Sequence, residues 1–223
     1  MRATLTAILL LLQMLCYGQL IEDKTIEKQY FNALSKASAR VKELTNDDYK
    51  KEGTSSFIIQ YKTDTLNKKN LETKLNSVII LDLETNKETK HPDETIEFPM
   101  PWAAQGYLSG DTLLIHTGLL LPGSITKVYR SKITTLWNEY RKYDKIFRLK
   151  LNQKKVNDIF VPTQISRLTL SNLHPKTGQT IYGKLELKTV PYYIDDTMFT
   201  KGYIHQQVDL VCYFHFKLIR KDW

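Results

Sequence analysis

The chain has 223 residues, a formal net charge of +8, five histidines and two cysteines. That length supports one domain with a substantial core, and two cysteines exclude a small scaffold stapled by several disulfides. No glycine-rich phosphate loop, G-x-S-x-G turn or H-E-x-x-H pair occurs, so the familiar nucleotide-binding, serine-hydrolase and zinc-protease signatures are missing.

Met1-Arg2 precedes an apolar run from Leu5 to Leu15, broken only by Thr6 and Gln13, with Cys16 and Gly18 as small residues after it. This reads as a secretory signal peptide over residues 1–18, cut after Gly18 to leave Gln19 first. The run is too short to span a bilayer, so the mature chain is expected to have no transmembrane span. Lipidation of Cys16 is disfavoured, because Leu15 stands where bacterial lipoprotein signals carry a small residue. The expected location is therefore exported, periplasmic or extracellular, and Cys212 becomes the sole cysteine of the mature chain.

Residues 19–53 read as an N-terminal helix and connector. Ile26, Tyr30, Ala33, Leu34, Ala37, Val41 and Leu44 recur at three- and four-residue steps, forming one stripe of an amphipathic helix over 23–45. Asp23 or Thr25 suits its start and Asn46 its end. The stripe packs on the domain or docks a partner.

Residues 54–223 read as the main domain. Phe57, Ile59 and Tyr61 alternate as a strand, and 77–83 is a short apolar strand followed by a turn. The segment 91–110, with three prolines and apolar Phe98, Met100, Trp102, Tyr107 and Leu108, reads as a long loop packed on the core. Strands follow at 112–121, with Gly118 a possible bulge, and at 124–130 after the Pro122-Gly123 turn. Residues 133–143 fit either helix or strand. Residues 145–151 alternate, which places Phe147, Leu149 and Leu151 inside and Arg148 and Lys150 outside. Strands at 159–161, 164–170 and 181–190 lead to a loop over 191–202.

The longest pattern comes last. From Ile204 to Leu218, Val208, Leu210, Cys212, Phe214, Phe216 and Leu218 occupy one face, while His205, Gln207, Asp209, Tyr213, His215 and Lys217 occupy the other. About eight or nine strands with one N-terminal amphipathic helix, and no crossover helices, predict a mainly β fold, an antiparallel β-sandwich or a barrel-like relative.

Residues 127–155 hold ten cationic side chains against Glu139 and Asp144, a local balance of +8 that accounts for the net charge of the chain. Tyr129, Trp137, Tyr140, Tyr143 and Phe147 are interleaved. Lys127, Arg130, Lys142, Lys145, Arg148 and Lys150 are the candidate anion-binding residues, against the plainer reading of a solvated, solubilising face. Export makes nucleic acid an unsuitable partner and leaves a protein or an anionic envelope component.

Other chemistry is sparse. Cys212 lies on the apolar face and reads as a small buried hydrophobe. His205 and Asp209 are four residues apart on one strand, about 13 Å, too far to share a metal or a proton. Asp195-Asp196 reads as a solvated turn. No catalytic, cofactor or metal residues are assigned. The sequence expectation is an exported, non-enzymatic binding protein. The alternatives are a secreted hydrolase of glycan or ester bonds and a carrier with an apolar pocket.

Overall fold

A computed structural model describes residues 18–37, 39, 42–43, 45–46, 54–65, 78–81, 88–91, 104–118, 122–196 and 202–221, with the backbone alone for 54–65, 78–81, 88–91, 196 and 202. The signal-peptide residues 1–17, the apolar loop residues Phe98, Met100 and Trp102, and Val41 and Leu44 of the helical stripe lie outside the described residues.

The fold is mainly β, as the alternation predicts. The elements in chain order are β1 (Gln19–Glu22), α1 (Ile26–Ser35), β2 (Thr54–Thr65), β3 (Val78–Leu81), β4 (Glu88–His91), β5 (Ala104–Ser109), β6 (Thr112–Gly118) and β7 (Gly123–Tyr129). They continue as β8 (Lys132–Tyr140), β9 (Phe147–Arg148), β10 (Asp158–Leu170), β11 (Thr180–Thr189), β12 (Tyr192–Asp196), β13 (Gly202–Lys217) and β14 (Ile219–Arg220). Ten strands pair in the series β14-β5-β6-β7-β8-β10-β11-β13-β12-β9; β1 joins β10, and β2 joins β13. Most pairs are antiparallel, but β1 with β10 and β14 with β5 are parallel, so the sheet is mixed.

The series bends into a sandwich-like pair of layers and does not close into a barrel. The bend lies in β10, whose residues 158–162 pair with β8 and whose residues 163–170 pair with β11. A register irregularity between Thr163 and Ile165 marks the point where the strand passes from one layer to the other. Between the layers lies a single core. Leu113, Ile115, Val128, Ile133 and Trp137 come from one side, and Leu168, Ile181, Leu185, Leu187, Val208, Leu210, Cys212, Phe214 and Phe216 from the other. Each residue of the predicted apolar face from Val208 to Phe216 on β13, and Leu218 just after the strand, is fully buried.

Two glycines make room for the large rings of β13, Gly183 beside it in the same layer and Gly106 in the facing one. Phe214 and Phe216 stack at 5.7 Å between ring centroids. A Cβ at Gly183 on β11 would run into the Phe214 ring, and one at Gly106 on β5 would run into Phe216.

Three expectations need correction, and one open reading is resolved. Residues 104–109 lie within the predicted loop but pair with β6 as strand β5, so the chain returns to the sheet after its prolines. Residues 133–143, compatible with either period, are strand as far as Tyr140, the end of β8, because β7 and β10 flank it and supply its ladder bonds. The predicted loop 191–202 contains β12, which continues the line of β11 alongside β13. Helix α1 ends at Ser35 with Lys36 as its C-cap, so the predicted helix is interrupted there, while the described residues 39, 42–43 and 45–46 are helical again beyond the break.

At the helix start Asp23 does the capping. Its Oδ1 accepts from the Thr25 backbone N–H at 2.8 Å, while Thr25 makes no side-chain cap bond. Ile26 and Tyr30 form, with Tyr213, a small apolar cluster separate from the main core.

Candidate functional site

The six candidate cations do not form one surface. Lys127 lies on β7, and Arg130 sits in the β7–β8 turn, where Arg130 and Ser131 have φ of 46° and 62°. Two left-handed central residues are what a two-residue hairpin turn of this hand requires. Lys142 and Lys145 follow the far end of β8. Nine strand residues at about 3.3 Å each put Arg130 roughly 30 Å from the lobe end of β8, and Lys127, paired opposite Thr134, lies roughly 20 Å from it, in both cases more than two Debye lengths at physiological salt.

Lys142, Lys145 and Lys150 come together instead on a lobe, residues 141–157, through which the chain passes from β8 to β10. Arg141 N donates to Asn157 O at 2.8 Å, and Phe147 and Val156 exchange backbone bonds of 3.0 and 2.8 Å. The tip is a turn closed by Gln153 N to Lys150 O at 2.9 Å and by Lys150 N to the Gln153 side-chain oxygen at 3.1 Å. Arg141 and Lys154, outside the six, belong to the same lobe. All five cations are exposed and make no ion pair among the described residues. Two exposed acids are near, Asp144 and Asp158, and Asp158 accepts from Asn138 Nδ2 at 2.7 Å.

Arg148 contradicts the outward placement. Its guanidinium turns inward to Asp195, with Nη2 3.1 Å from Oδ1 and side-chain exposures of only 16% and 12%. Asp195 Oδ1 has no hydrogen-bond donor, so this contact is a charge pairing without an aligned hydrogen bond. Lys155 reaches the other carboxylate oxygen. The Asp195 backbone N donates to Ile146 O at 2.7 Å, and Arg148 Nη1 donates to Leu151 O at 3.0 Å. Asp195, expected in a solvated turn, is therefore the clamp that ties both limbs of the lobe to β12. Leu151, expected inside, is exposed at the tip. The reason is that the strand over 145–151 lasts only two residues, so its alternation stops at Arg148.

Beneath the lobe the strands carry an aromatic row. Arg148 pairs in register with Tyr193 and Tyr193 with His205. The Tyr193 and His205 rings stack at 4.2 Å, and the Arg148 guanidinium lies 5.8 Å from the Tyr203 ring centre. Burial lowers the pKa of His205 from its ordinary value.

The remaining titratable groups are dispersed. His205, Asp209 and His215 are spread along β13, and His116 is on β6 in the other layer. Among the described residues no three His, Cys, Asp or Glu side chains are grouped to hold a metal. Cys212 is buried, and its thiol is pushed up to about 12 by that burial, which leaves it protonated and inert at neutral pH.

One polar group was missed. Glu139 Oε1 accepts from Trp137 Nε1 at 3.0 Å and from Tyr192 OH at 2.7 Å, at the edge of the core next to the lobe. A strand reading of 132–140 would have found it, since Glu139 then shares the inner face with Trp137. Both donors are buried and satisfied through this carboxylate, a structural use of the charge.

Comparison of the chain with family models, with curated proteins and with solved structures gave no match. No helix among the described residues is long and apolar enough to cross a membrane.

Proposed function

We propose that the protein is an exported, non-enzymatic binding protein that holds an anionic partner through the lobe at residues 141–157. The observation that carries the reading is the sorting of charge there. The two cations nearest Asp195 share its carboxylate in the clamp, while Arg141, Lys142, Lys145, Lys150 and Lys154 stay exposed around it. A surface built only for solubility has no need of an anchored tip. A binding surface does, because a pre-ordered loop loses less freedom on association.

Clustered like charge on a fixed frame raises the local concentration of an anion and makes binding fall with salt. Export rests on the N-terminal pattern of Arg2, the apolar run and Gly18, and it directs the reading to envelope or extracellular anions.

The test is retention of the mature chain on immobilised heparin. Replacing Lys142, Lys145, Lys150 and Lys154 by Glu should lower the salt needed for elution. Lys127→Glu with Arg130→Glu, roughly 20 and 30 Å from the lobe end of β8, should leave it near the parent value. Equal loss from both sets would mean non-specific attraction to net charge and would reject the site.

A further inference from the structure

We propose that the anionic partner of the lobe is a lipid surface, with Leu151 and Tyr143 entering the headgroup region of an anionic bilayer while the surrounding lysines contact lipid phosphates. This rests on the reading of the lobe as an anion-binding site and names the class of anion. A soluble polyanion asks only for charge. A bilayer asks for charge with exposed apolar side chains beside it, because its interface is a polyanion above an apolar layer.

The lobe supplies that combination. Nine large hydrophobic side chains are exposed among the described residues, and five of them (Tyr140, Tyr143, Leu151, Val156 and Phe160) fall between positions 140 and 160. Apolar exposure is therefore concentrated on the segment where the exposed cations lie. Tyr143 is 82% exposed, with Lys142 Nζ 5.0 Å from its ring centre. Leu151 is 43% exposed and lies in the tip turn between Lys150 and Lys154. Tyrosine suits the interface because its ring is apolar and its hydroxyl stays hydrated.

The tip is also held for presentation. Arg148 Nη1 bonds the Leu151 carbonyl, so the guanidinium that pairs with Asp195 fixes the backbone of the residue offered to the membrane. The Lys150–Gln153 bonds close the same turn. Both limbs meet at Asp195, through the Ile146 carbonyl on one side and Lys155 on the other, so the 142–146 bend and the 149–154 tip belong to one clamped body. Charge complementarity favours the anionic lipid: five exposed cations with no ion pair among the described residues stand against two exposed acids, Asp144 and Asp158, and Asp158 already accepts from Asn138 Nδ2.

The experiment is sedimentation of the mature chain with vesicles of equal parts phosphatidylglycerol and phosphatidylcholine, beside pure phosphatidylcholine vesicles and immobilised heparin. Binding to the mixed vesicles and little to the neutral ones is expected. Leu151→Ser with Tyr143→Ser should weaken vesicle binding about tenfold, from lost apolar burial, and leave heparin elution unchanged. Lys150→Gln with Lys154→Gln should weaken vesicle binding about fivefold per lysine and lower heparin retention as well.

If lysine substitutions weaken vesicle binding but Leu151→Ser with Tyr143→Ser does not, the partner is a soluble or purely electrostatic anion, and the lipid inference is overturned while the anion site stands. If heparin is retained and neither vesicle binds, the same conclusion follows. If neither heparin nor vesicles are retained, the anion site itself is wrong. Circular dichroism of each variant distinguishes these results from unfolding, since all four positions are exposed.

Discussion

The outer face of β13 has a histidine among tyrosines at both ends, and the two ends behave differently. At the C-terminal end His215 lies 5.1 Å from the Tyr30 ring and 5.2 Å from Tyr182, with helix α1 as cover. It is 5% exposed, and burial takes its pKa down to about 4. At the N-terminal end His205 stacks on Tyr193 but stays partly exposed, open to the side where the lobe is clamped. The strand, the face and the residue types are the same. What differs is a second layer, and that layer turns one end into a satellite core and leaves the other as the footing of a surface site.

The inner face is the reference for both ends. Phe214→Ala should cost about 3–5 kcal/mol, because a fully buried ring stacked on Phe216 leaves a cavity. Tyr213→Ala on the outer face should cost less, although α1 covers Tyr213 and narrows the gap expected from alternation alone. Urea midpoints of the two variants measure the difference, and a larger loss at Tyr213 would place the main core on the wrong side of the strand.

Acid should distinguish the two ends next. The fold holds His215 neutral, with a pKa of about 4 against the ordinary 6.5. Its stabilising contribution is therefore complete above pH 6.5. It is lost as pH falls from 6.5 towards 4, because the unfolded chain takes up the proton first. Below about 4 both states are protonated and the loss is constant. The shift corresponds to a loss of about 3 kcal/mol. Tyr30→Ala should remove the cover, move the His215 titration towards 6.5 in NMR and flatten that part of the stability–pH curve. A His215 titration unchanged by Tyr30→Ala would show that the strands, and not the helix, bury it.

The clamp is the smallest of the three effects. Asp195→Asn leaves Arg148 and Lys155 without their counter-charge in a site that is mostly, not fully, buried. The expected cost is about 2 kcal/mol, below the range for a fully enclosed pair. Thermal melts should show it, whereas reversal of exposed Lys127 and Arg130 should stay within about 0.5 kcal/mol. If Asp195→Asn melts like the parent, the lobe is held by its backbone bonds alone.

Much of this was legible in the chain. Period-two alternation marks β11 and β13 because one face of each is buried across their whole paired length, and a continuous environment leaves a continuous pattern. The helix stripe at Ile26 and Tyr30 is legible for the same reason. Strands β5 and β12 were not, since each is short and borders prolines or polar residues, and their ladder bonds come from neighbours distant in sequence. Arg148 was misplaced because alternation assigns a side by parity and takes no account of a carboxylate brought in from Asp195. The basic stretch was visible as composition, but its division into two ends depends on β8 being a strand.

By itself the sequence determined the class of fold, the buried face of the last long strand and the concentration of charge, all properties of contiguous residues in one local environment. The bend at β10, the cover over His215 and the pairing that turns Arg148 inward were decided only by tertiary structure. Each depends on which distant segment fills the space beside it, and charge and hydrogen bonding act across that space regardless of separation along the chain.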